Sequence, residues 1–332
     1  MLPKKLCQIL FLIGCLSLVA CGRGRSGPSG KILLVSNDET AGHGLVEYDV
    51  VTGGRQTIFA APDFTQVHQV VADSETEIVL TYTPPPTVDT GFFDRSGLYD
   101  LNLAREPVEP VPILEGELSQ EFYLQHAGSG DGRWLFFTHF EPKFTGGITE
   151  FAMTVKRLDR SSREILTIAS DGNWPTVAPD SQRIAYVLID PATQERALVT
   201  ADLNGTDVMT LVPFGRFFDV DLPMYSPDGD WIYFTVAEEQ QVRSFWDVIL
   251  GVRVAEAHSN LPSLWWRVAT GGGEPEMVSG DRIVITAGSF SPDGAYIAYA
   301  SDSGLHIMTA EGVEEGSVRP VQGVGDLVWL AE

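Results

Sequence analysis

The chain has 332 residues, enough for one large domain, and a formal net charge of −23 at pH 7. Such an acidic composition argues against nucleic acid as a partner, because phosphates attract surfaces rich in Lys and Arg. With three cysteines, the composition also excludes a disulfide-rich scaffold.

The first 20 residues have the pattern of a signal peptide. Lys4 and Lys5 precede an apolar stretch from Leu6 to Ala20, which is shorter than the about 20 apolar residues that a permanent membrane helix requires. We therefore predict that residues 1–20 are removed. Their removal deletes two lysines and no acid, so the remaining chain carries a net charge of −25.

The end of this stretch reads Leu-Val-Ala-Cys-Gly, at residues 18–22. It resembles the bacterial lipobox, which has an aliphatic residue at −3, a small residue at −1 and then a cysteine. The resemblance implies that Cys21 becomes the mature N-terminus and carries a lipid anchor with acyl chains such as palmitate. Because Cys7 and Cys15 lie in the removed segment, the mature domain is expected to have neither a disulfide nor a free thiol. We expect a protein anchored by lipid to the extracytoplasmic face of a cell membrane.

The segment from residue 21 to 30 is predicted to be the lipidated cysteine and a flexible tether. Residues 22–30 read Gly-Arg-Gly-Arg-Ser-Gly-Pro-Ser-Gly, a composition that forms no packed structure. The folded domain is therefore expected to occupy residues 31–332.

A repeated unit runs through this domain. Residues 223–234, which contain Ser-Pro-Asp-Gly, align without a gap to residues 288–299, and weaker copies occur at 175–186, around 130–137 and around 70–80. Pro-Asp-Gly is turn chemistry, and the apolar segments on its two sides predict adjacent antiparallel strands. A second hairpin follows each copy, so four strands recur at a period of roughly 50 residues, as in a propeller blade.

The pattern resembles the WD40-like repeats with a Ser-Pro-Asp-Gly signature that build TolB-type propellers, and the resemblance covers residues 31–332. It implies an all-β, six-bladed propeller of four-stranded antiparallel blades. Residues 31–36 read as a second strand without a first, and residues 326–330 as a first strand without a second. We predict that the C-terminal strand joins the N-terminal blade and closes the ring, which leaves no open sheet edge. The blades are centred on residues 31–64 with 326–332, 65–118, 119–172, 173–217, 218–284 and 285–325.

Three long connections are expected on the face of the propeller that usually binds ligands: Thr83–Ser96, His139–Ala152 and Ala237–Pro262. The third contains candidate binding residues with aromatic or polar side chains, Phe245, Trp246, His258 and Asn260. Exposed aromatic rings beside polar groups suit sugars, peptides or a protein surface. The alternative is that Phe245 and Trp246 pack this insertion onto the blades.

Three histidines, His68, His126 and His139, are expected to approach the same face, and His68 and His126 lie in predicted first strands near the axis. The six histidines show no H-E-x-x-H or paired spacing, so we predict no metal site, no cofactor and no catalytic residue. Asp131, Asp180, Asp228 and Asp293 are assigned to the repeat turns on the opposite face. Five tryptophans in or next to repeat strands are expected in the core: Trp134, Trp174, Trp231, Trp265 and Trp329.

The leading functional hypothesis is a non-catalytic binding module that holds an envelope protein or cell-wall component. The resemblance to TolB-type propellers implies a partner that docks over the channel. The alternative is an enzyme or sugar-binding protein acting on extracellular glycans or small molecules through a central pocket. A cluster of polar groups in that pocket favours the enzyme, whereas an apolar or aromatic face favours the binding module. An accessory subunit of an exporter or sensor is a third hypothesis.

Overall fold

A computed structural model describes residues 27–38, 42–74, 76–88, 91, 94–145, 148–237, 262–280, 282–321 and 323–330. The predicted signal peptide, Cys21 and the candidates Phe245, Trp246, His258 and Asn260 lie outside these residues. The described residues form strands and connections, and none of them belongs to a helix of a length and hydropathy that would cross a bilayer.

The strands are, in chain order, β1 (Lys31–Asp38), β2 (Gly42–Asp49), β3 (Arg55–Ala60), β4 (Gln66–Ala72), β5 (Glu77–Thr83), β6 (Gly97–Asn102), β7 (Val111–Leu114), β8 (Phe122–Gly128), β9 (Trp134–Thr145), β10 (Ile148–Asp159), β11 (Ile165–Ser170), β12 (Gly172–Val177), β13 (Arg183–Ile189), β14 (Arg196–Asp202), β15 (Met209–Val212), β16 (Asp219–Tyr225), β17 (Trp231–Ala237), β18 (Ser263–Ala269), β19 (Glu276–Met277), β20 (Ile285–Phe290), β21 (Tyr296–Ser301), β22 (Gly304–Thr309) and β23 (Val324–Trp329). They form six antiparallel sheets, each a blade of one propeller, so the predicted fold is confirmed. Blade 1 is β23-β1-β2-β3, blade 2 is β4 to β7, blade 3 is β8 to β11, blade 4 is β12 to β15, blade 5 is β16 to β19 and blade 6 is β20 to β22.

The predicted closure by the C-terminal strand is also confirmed. Strand β23 pairs antiparallel with β1, with Ile32 opposite Trp329 and Leu34 opposite Leu327. The Trp329 side chain is 5% exposed, and its Nε1 donates to the carbonyl of Ser29 at 3.1 Å. The innermost strand of blade 1 therefore comes from one end of the domain and its other three strands from the other end.

The Ser-Pro-Asp-Gly turn is held by its own side chains. The Asp228 carboxylate accepts the Ser226 hydroxyl at 2.5 Å and the Asp230 amide at 3.1 Å, and the Ser226 hydroxyl in turn accepts the amide of Trp231 at 3.0 Å. Gly229 takes the left-handed backbone conformation, with φ 79°, which glycine adopts without steric cost. Asp131 and Asp293 accept the same two kinds of bond, and Asp180 accepts the Gln182 amide at 2.9 Å, which confirms the assignment of these acids to turns.

The hydrophobic core lies between the faces of neighbouring blades. Trp174, Trp265 and Trp329 are buried there, as predicted. The prediction for Trp134 and Trp231 is confirmed only in part, because both pack against the core but are half-buried. Each ring lies at the blade surface under an arginine: the Arg157 guanidinium is 4.0 Å from the centre of the Trp134 ring, and that of Arg267 is 4.4 Å from the centre of the Trp231 ring.

Blade 3 departs from the prediction at its second connection. His139–Ala152 was expected to be a long loop, but most of it is paired in the β9–β10 hairpin, from His139 opposite Thr154 to Thr145 opposite Ile148. The sequence here is rich in aromatic and β-branched residues, which favour a ladder over an irregular loop. Blade 3 therefore has two strands of 12 residues each.

Blade 6 departs in a second way, since it has three strands instead of the expected four. The segment that follows β22 returns along its outer edge but pairs with it only at single bridges, Met308 with Glu314 and Leu305 with Arg319. Between those bridges Gly316 has φ 80°, a left-handed conformation that interrupts a strand.

Candidate functional site

The direction of the strands divides the connections between two faces of the ring. Connections between blades, and those from the second to the third strand of a blade, lie on one face, here called the upper face. The turns from first to second and from third to fourth strand lie on the lower face. The chain enters β1, the second strand of blade 1, at Lys31 on the lower face. The described chain therefore enters the propeller from the lower side.

Exposed hydrophobic side chains recur in the connections between blades on the upper face. Phe64 joins blades 1 and 2, Leu118 joins blades 2 and 3, Phe214 and Phe218 join blades 4 and 5, and Val318 joins blades 6 and 1. Their exposed fractions are 65, 47, 43, 46 and 41%, in that order. We call these five residues the upper hydrophobic set. The lower face also exposes apolar side chains, such as Val51 and Val208, but the exposed phenylalanines among the described residues, Phe64, Phe214 and Phe218, all lie on the upper face. Exposed aromatic side chains are a feature of interaction surfaces.

Phe64 is presented by a strained turn. Thr65 donates to the Pro62 carbonyl from its hydroxyl at 2.6 Å and from its amide at 3.2 Å. This closes a turn in which Phe64 has φ 63°. An aromatic residue in the left-handed region costs of order 1 kcal/mol and persists only where the surrounding structure holds it. Its neighbour Asp63 is exposed, so the aromatic ring stands beside a negative charge.

The cluster around His139 is the most connected polar arrangement on the upper side of blade 3. The Lys156 ammonium donates to Nδ1 of His139 at 2.8 Å, and Nε2 of His139 is 2.7 Å from a Glu121 carboxylate oxygen. Since a lysine ammonium can only donate, Nδ1 is the acceptor and Nε2 carries the proton. The Tyr123 ring stacks on the imidazole with 4.7 Å between centroids.

Burial, together with the charge of Lys156, lowers the pKa of His139 against the opposing effect of Glu121. Burial by itself raises the pKa of Glu121, but hydrogen bonds from the Leu118 backbone and from His139 lower the pKa below its ordinary value. The structure therefore holds a neutral imidazole between a cation and a carboxylate. The His139 and Glu121 side chains are 5 and 9% exposed, so this cluster supports the upper surface from beneath.

His68 and His126 lie in the first strands of blades 2 and 3, as expected, and both contact strand β5. Nε2 of His68 is 2.7 Å from the Thr83 hydroxyl, and His126 is hydrogen-bonded to the Thr81 hydroxyl at 3.1 Å and to the Val79 carbonyl at 2.9 Å. Burial lowers the pKa of each imidazole to about 4. Both are neutral at pH 7; Nε2 of His68 and both ring nitrogens of His126 are hydrogen-bonded to blade 2.

The inner strands are joined to one another by side chains. An inner strand has no sheet neighbour on the channel side, so its backbone N–H groups there need other acceptors. Asp326 accepts the amide of Val70 at 2.8 Å, Gln69 accepts the amide of Gln125, and Gln125 accepts the amide of Trp174 at 3.1 Å. These bonds link blades 1, 2, 3 and 4 in sequence. Enclosure of its carboxyl raises the pKa of Asp326 to about 7.

Sequence reasoning identified the three histidines but missed the groups that hold them, Glu121 and Lys156, and missed Asp326 and the upper hydrophobic set. The set had a signal, because Phe64 and Phe218 interrupt polar connections where turn residues are expected. The other partners had none. Glu121 and Lys156 reach His139 through strand pairing within blade 3, whereas Asp326 meets Val70 from 256 residues away. Among the described residues, no three His, Cys, Asp or Glu side chains are grouped to hold a metal ion.

No protein-family model matches the chain. One curated relative, the uncharacterized protein Atu1656 of Agrobacterium fabrum strain C58, is 31% identical over 110 residues, which make up 31% of this chain and 36% of that protein. The match is therefore confined to a minor part of both proteins.

Solved structures share the whole architecture at low identity. TolB from Acinetobacter baumannii superposes with a TM-score of 0.60 at 15% identity, covering 91% of this chain and 67% of that one. A putative TolB from Agrobacterium tumefaciens gives 0.59 at 17%, covering 90 and 92%. A chain of the nidogen/laminin complex gives 0.61 at 9%, covering 90 and 97%. The chain thus has the TolB-like six-bladed propeller fold that the repeats predicted.

Proposed function

We propose that this chain is a lipid-anchored, extracytoplasmic binding module that holds a protein or a cell-envelope component on its upper face. The observation that carries the proposal is the upper hydrophobic set. Apolar side chains exposed at four of the six blade junctions form anchors of the kind that protein interfaces bury. Two structural neighbours are named as TolB proteins and a third as part of a complex between two proteins, which supports a binding role for this architecture.

The predicted anchor implies how the propeller is oriented relative to the membrane. A lipid on Cys21 is joined to β1 by nine tether residues, which reach at most roughly 30 Å. Because β1 begins on the lower face, that tether holds the lower face towards the membrane and leaves the upper face open to the outside. The partner then meets the propeller from the side away from the bilayer.

The charges of the upper face favour a particular partner chemistry. Asp63 and Glu117 are exposed beside Phe64 and Leu118, and the whole chain is strongly acidic. A partner segment with apolar side chains flanked by Lys or Arg matches this surface in both shape and charge. The enzyme alternative needs free polar groups in the central pocket, whereas both ring nitrogens of His126 and of His139, and Nε2 of His68, are hydrogen-bonded within blades 2 and 3.

The anchor is tested by replacing the acylated residue. Full-length wild type expressed in a bacterium is expected to enter the detergent phase on Triton X-114 partition, with an N-terminal peptide whose mass shows a diacylglyceryl cysteine. Cys21→Ser is expected to stay in the aqueous phase, because it lacks the thiol that takes the lipid. Partition of the wild type into the aqueous phase with an unmodified Cys21 would overturn the anchor.

The docking face is tested by capture from detergent-solubilised membranes of the organism that makes the protein. Phe64→Asp with Phe218→Asp is expected to lower the capture of a partner at least about tenfold, since two buried aromatic anchors are each worth a kcal/mol or more. The matched control is Val51→Asp with Val208→Asp, two residues of the lower face that are 71 and 52% exposed. Equal capture by wild type and the phenylalanine variant contradicts the proposal.

A further inference from the structure

A cleft opens at the outer edge of blade 6, where the fourth strand is missing. The returning segment is bonded to β22 at both ends: Glu315 donates its amide to Ile307, and Arg319 and Leu305 exchange two backbone bonds at 2.9 and 3.1 Å. Residues 316–318 lie between these bonds and line a cleft of about 420 Å³ together with Arg282, Ile283, Tyr299, His306 and Glu314.

A serine, a histidine and a glutamate meet beside this cleft. The Ser303 hydroxyl is 2.9 Å from Nε2 of His306, and Nδ1 of the same ring is 3.8 Å from a Glu314 carboxylate oxygen. A serine that hydrogen-bonds to a base, which a carboxylate then orients, is the geometry of an activated nucleophile. The second distance is longer than a hydrogen bond, as is common before substrate binds.

Two serines contact the imidazole, and their positions differ. Ser301 is also 2.9 Å from Nε2, and the two hydroxyls are 2.8 Å apart. Ser301 is half-buried at the end of β21, whereas Ser303 is exposed in the turn between β21 and β22. Ser303 is thus the hydroxyl that a substrate can reach, and Ser301 supplies a second hydrogen bond.

The imidazole is held in place by its neighbours. The Tyr299 ring stacks on His306 with 4.7 Å between centroids and 11° between planes, and the Tyr299 hydroxyl donates to the other oxygen of Glu314. Although burial opposes it, the nearby His306 imidazole and the hydrogen bond from the Tyr299 hydroxyl lower the pKa of Glu314 below its ordinary value. Glu314 is therefore an ionised acceptor at neutral pH, which favours the tautomer with the proton on Nδ1.

We infer that Ser303, His306 and Glu314 form a hydrolytic site for small esters that carry a carboxylate. Arg282 on the cleft wall favours an anionic group on the substrate, and Ile283 and Val318 favour a short apolar chain. Ser303 Oγ attacks the ester carbonyl carbon, and the bond from that carbon to the leaving oxygen breaks. The Ser303 proton passes through Nε2 of His306 to the leaving alcohol. Water then attacks the acyl group, gives its proton back to Ser303 through His306, and releases the acid.

The test uses full-length protein in detergent, a fluorophosphonate probe, and two esters, mono-4-nitrophenyl glutarate and 4-nitrophenyl butyrate. We expect the probe to label Ser303, as located by mass spectrometry, and the carboxylate-bearing ester to be the better substrate. Ser303→Ala and His306→Gln are each expected to lower turnover at least about 100-fold. Glu314→Gln is expected to lower turnover at least about tenfold at an unchanged KM.

Ser162→Ala, at an exposed serine in the turn between β10 and β11 of blade 3, is the matched control; its turnover is expected to stay within about threefold of wild type. Thermal unfolding of each variant shows whether the fold is kept, and Ser303, in an exposed turn, is expected to be replaceable without loss of stability. Absence of labelling of the wild type, or turnover unchanged by Ser303→Ala, overturns the inference. Either result leaves partner capture by the upper face intact, because this cleft contains only Val318 of the upper hydrophobic set.

Discussion

A chain that ends at Gly323, and so lacks β23, is expected to lose cooperative folding. The truncation removes the inner strand of blade 1, which pairs with β1 and packs against β4 and β20. It also removes Leu327, Trp329 and Leu330, which are 3, 5 and 8% exposed. Losing a buried leucine or tryptophan costs about 2–5 kcal/mol each, so their sum is comparable with the 5–15 kcal/mol that stabilises a typical domain.

The measurement is urea-induced unfolding followed by tryptophan fluorescence and circular dichroism. A chain ending at Leu330 is the control and is expected to unfold at the wild-type midpoint. The truncated chain is expected to show no cooperative transition and to aggregate, because the edge of β1 is left unpaired. A two-state transition near the wild-type midpoint in the chain ending at Gly323 would mean that β23 does not close the ring.

Asp326→Asn is expected to stabilise the protein above neutral pH. In the folded state the pKa of Asp326 is raised from 3.8 to about 7 by burial of its carboxyl, so between these two values the folded state binds more protons than the unfolded state. The contribution of Asp326 to stability is therefore present at low pH and is lost as the pH rises from about 4 to 7. Asparagine removes the charge and keeps one acceptor oxygen for the backbone amides of Val70 and Leu327 that bond to the carboxylate. The expected gain at pH 8 is on the order of 2–4 kcal/mol.

This gain is measured as the difference in free energy of unfolding between variant and wild type at pH 4.5 and pH 8. It is expected to be small at the lower pH and large at the higher one. Asp63→Asn, at an exposed acid of the upper face, is the control and is expected to change stability by less than about 0.5 kcal/mol at either pH. A destabilised Asp326→Asn at pH 8 would show that the carboxylate contributes to stability through its charge.

His68 and His126 affect the pH dependence of stability in the opposite direction. The pKa values of His68 and His126 are depressed from 6.5 to about 4, so their contribution to stability is present above 6.5 and is lost as the pH falls towards 4. Wild type is therefore most stable in the mildly acidic range, and removal of the Asp326 charge moves that optimum upward.

Much of the fold could be predicted from the sequence because the same strand and turn pattern is repeated along the chain. Each Ser-Pro-Asp-Gly copy encodes its own hairpin by local turn chemistry, and the half-units at the two ends left one arrangement that pairs both. The long hairpin of blade 3 was missed because its polar residues resembled a loop, although aromatic residues such as Phe140 and Phe151 favour strand. The three-stranded form of blade 6 was missed for a different reason. The left-handed conformation of Gly316 interrupts the pairing of this segment with β22, and the sequence alone does not show which conformation a glycine adopts.

The candidate sites were less predictable for a physical reason. Alternation and turn chemistry place a residue on a strand and a face, and so placed His68 and His126 in inner strands. These two patterns do not specify which residue of a neighbouring strand or blade contacts a given side chain. The hydrogen bond that the Val70 amide donates to Asp326 joins positions 256 residues apart. The contact of Lys156 with His139 requires the pairing of β9 with β10, which was not predicted.

Site-specific photocrosslinking in membranes of the organism that makes the protein shows which face of the propeller contacts a partner. A benzoylphenylalanine is placed at Phe64 or Phe218 on the upper face, and at Val51 or Val208 on the lower face. We expect the same partner to be crosslinked from both upper positions and from neither lower position. Crosslinks to that partner from the lower positions, with none from Phe64 or Phe218, would contradict this expectation.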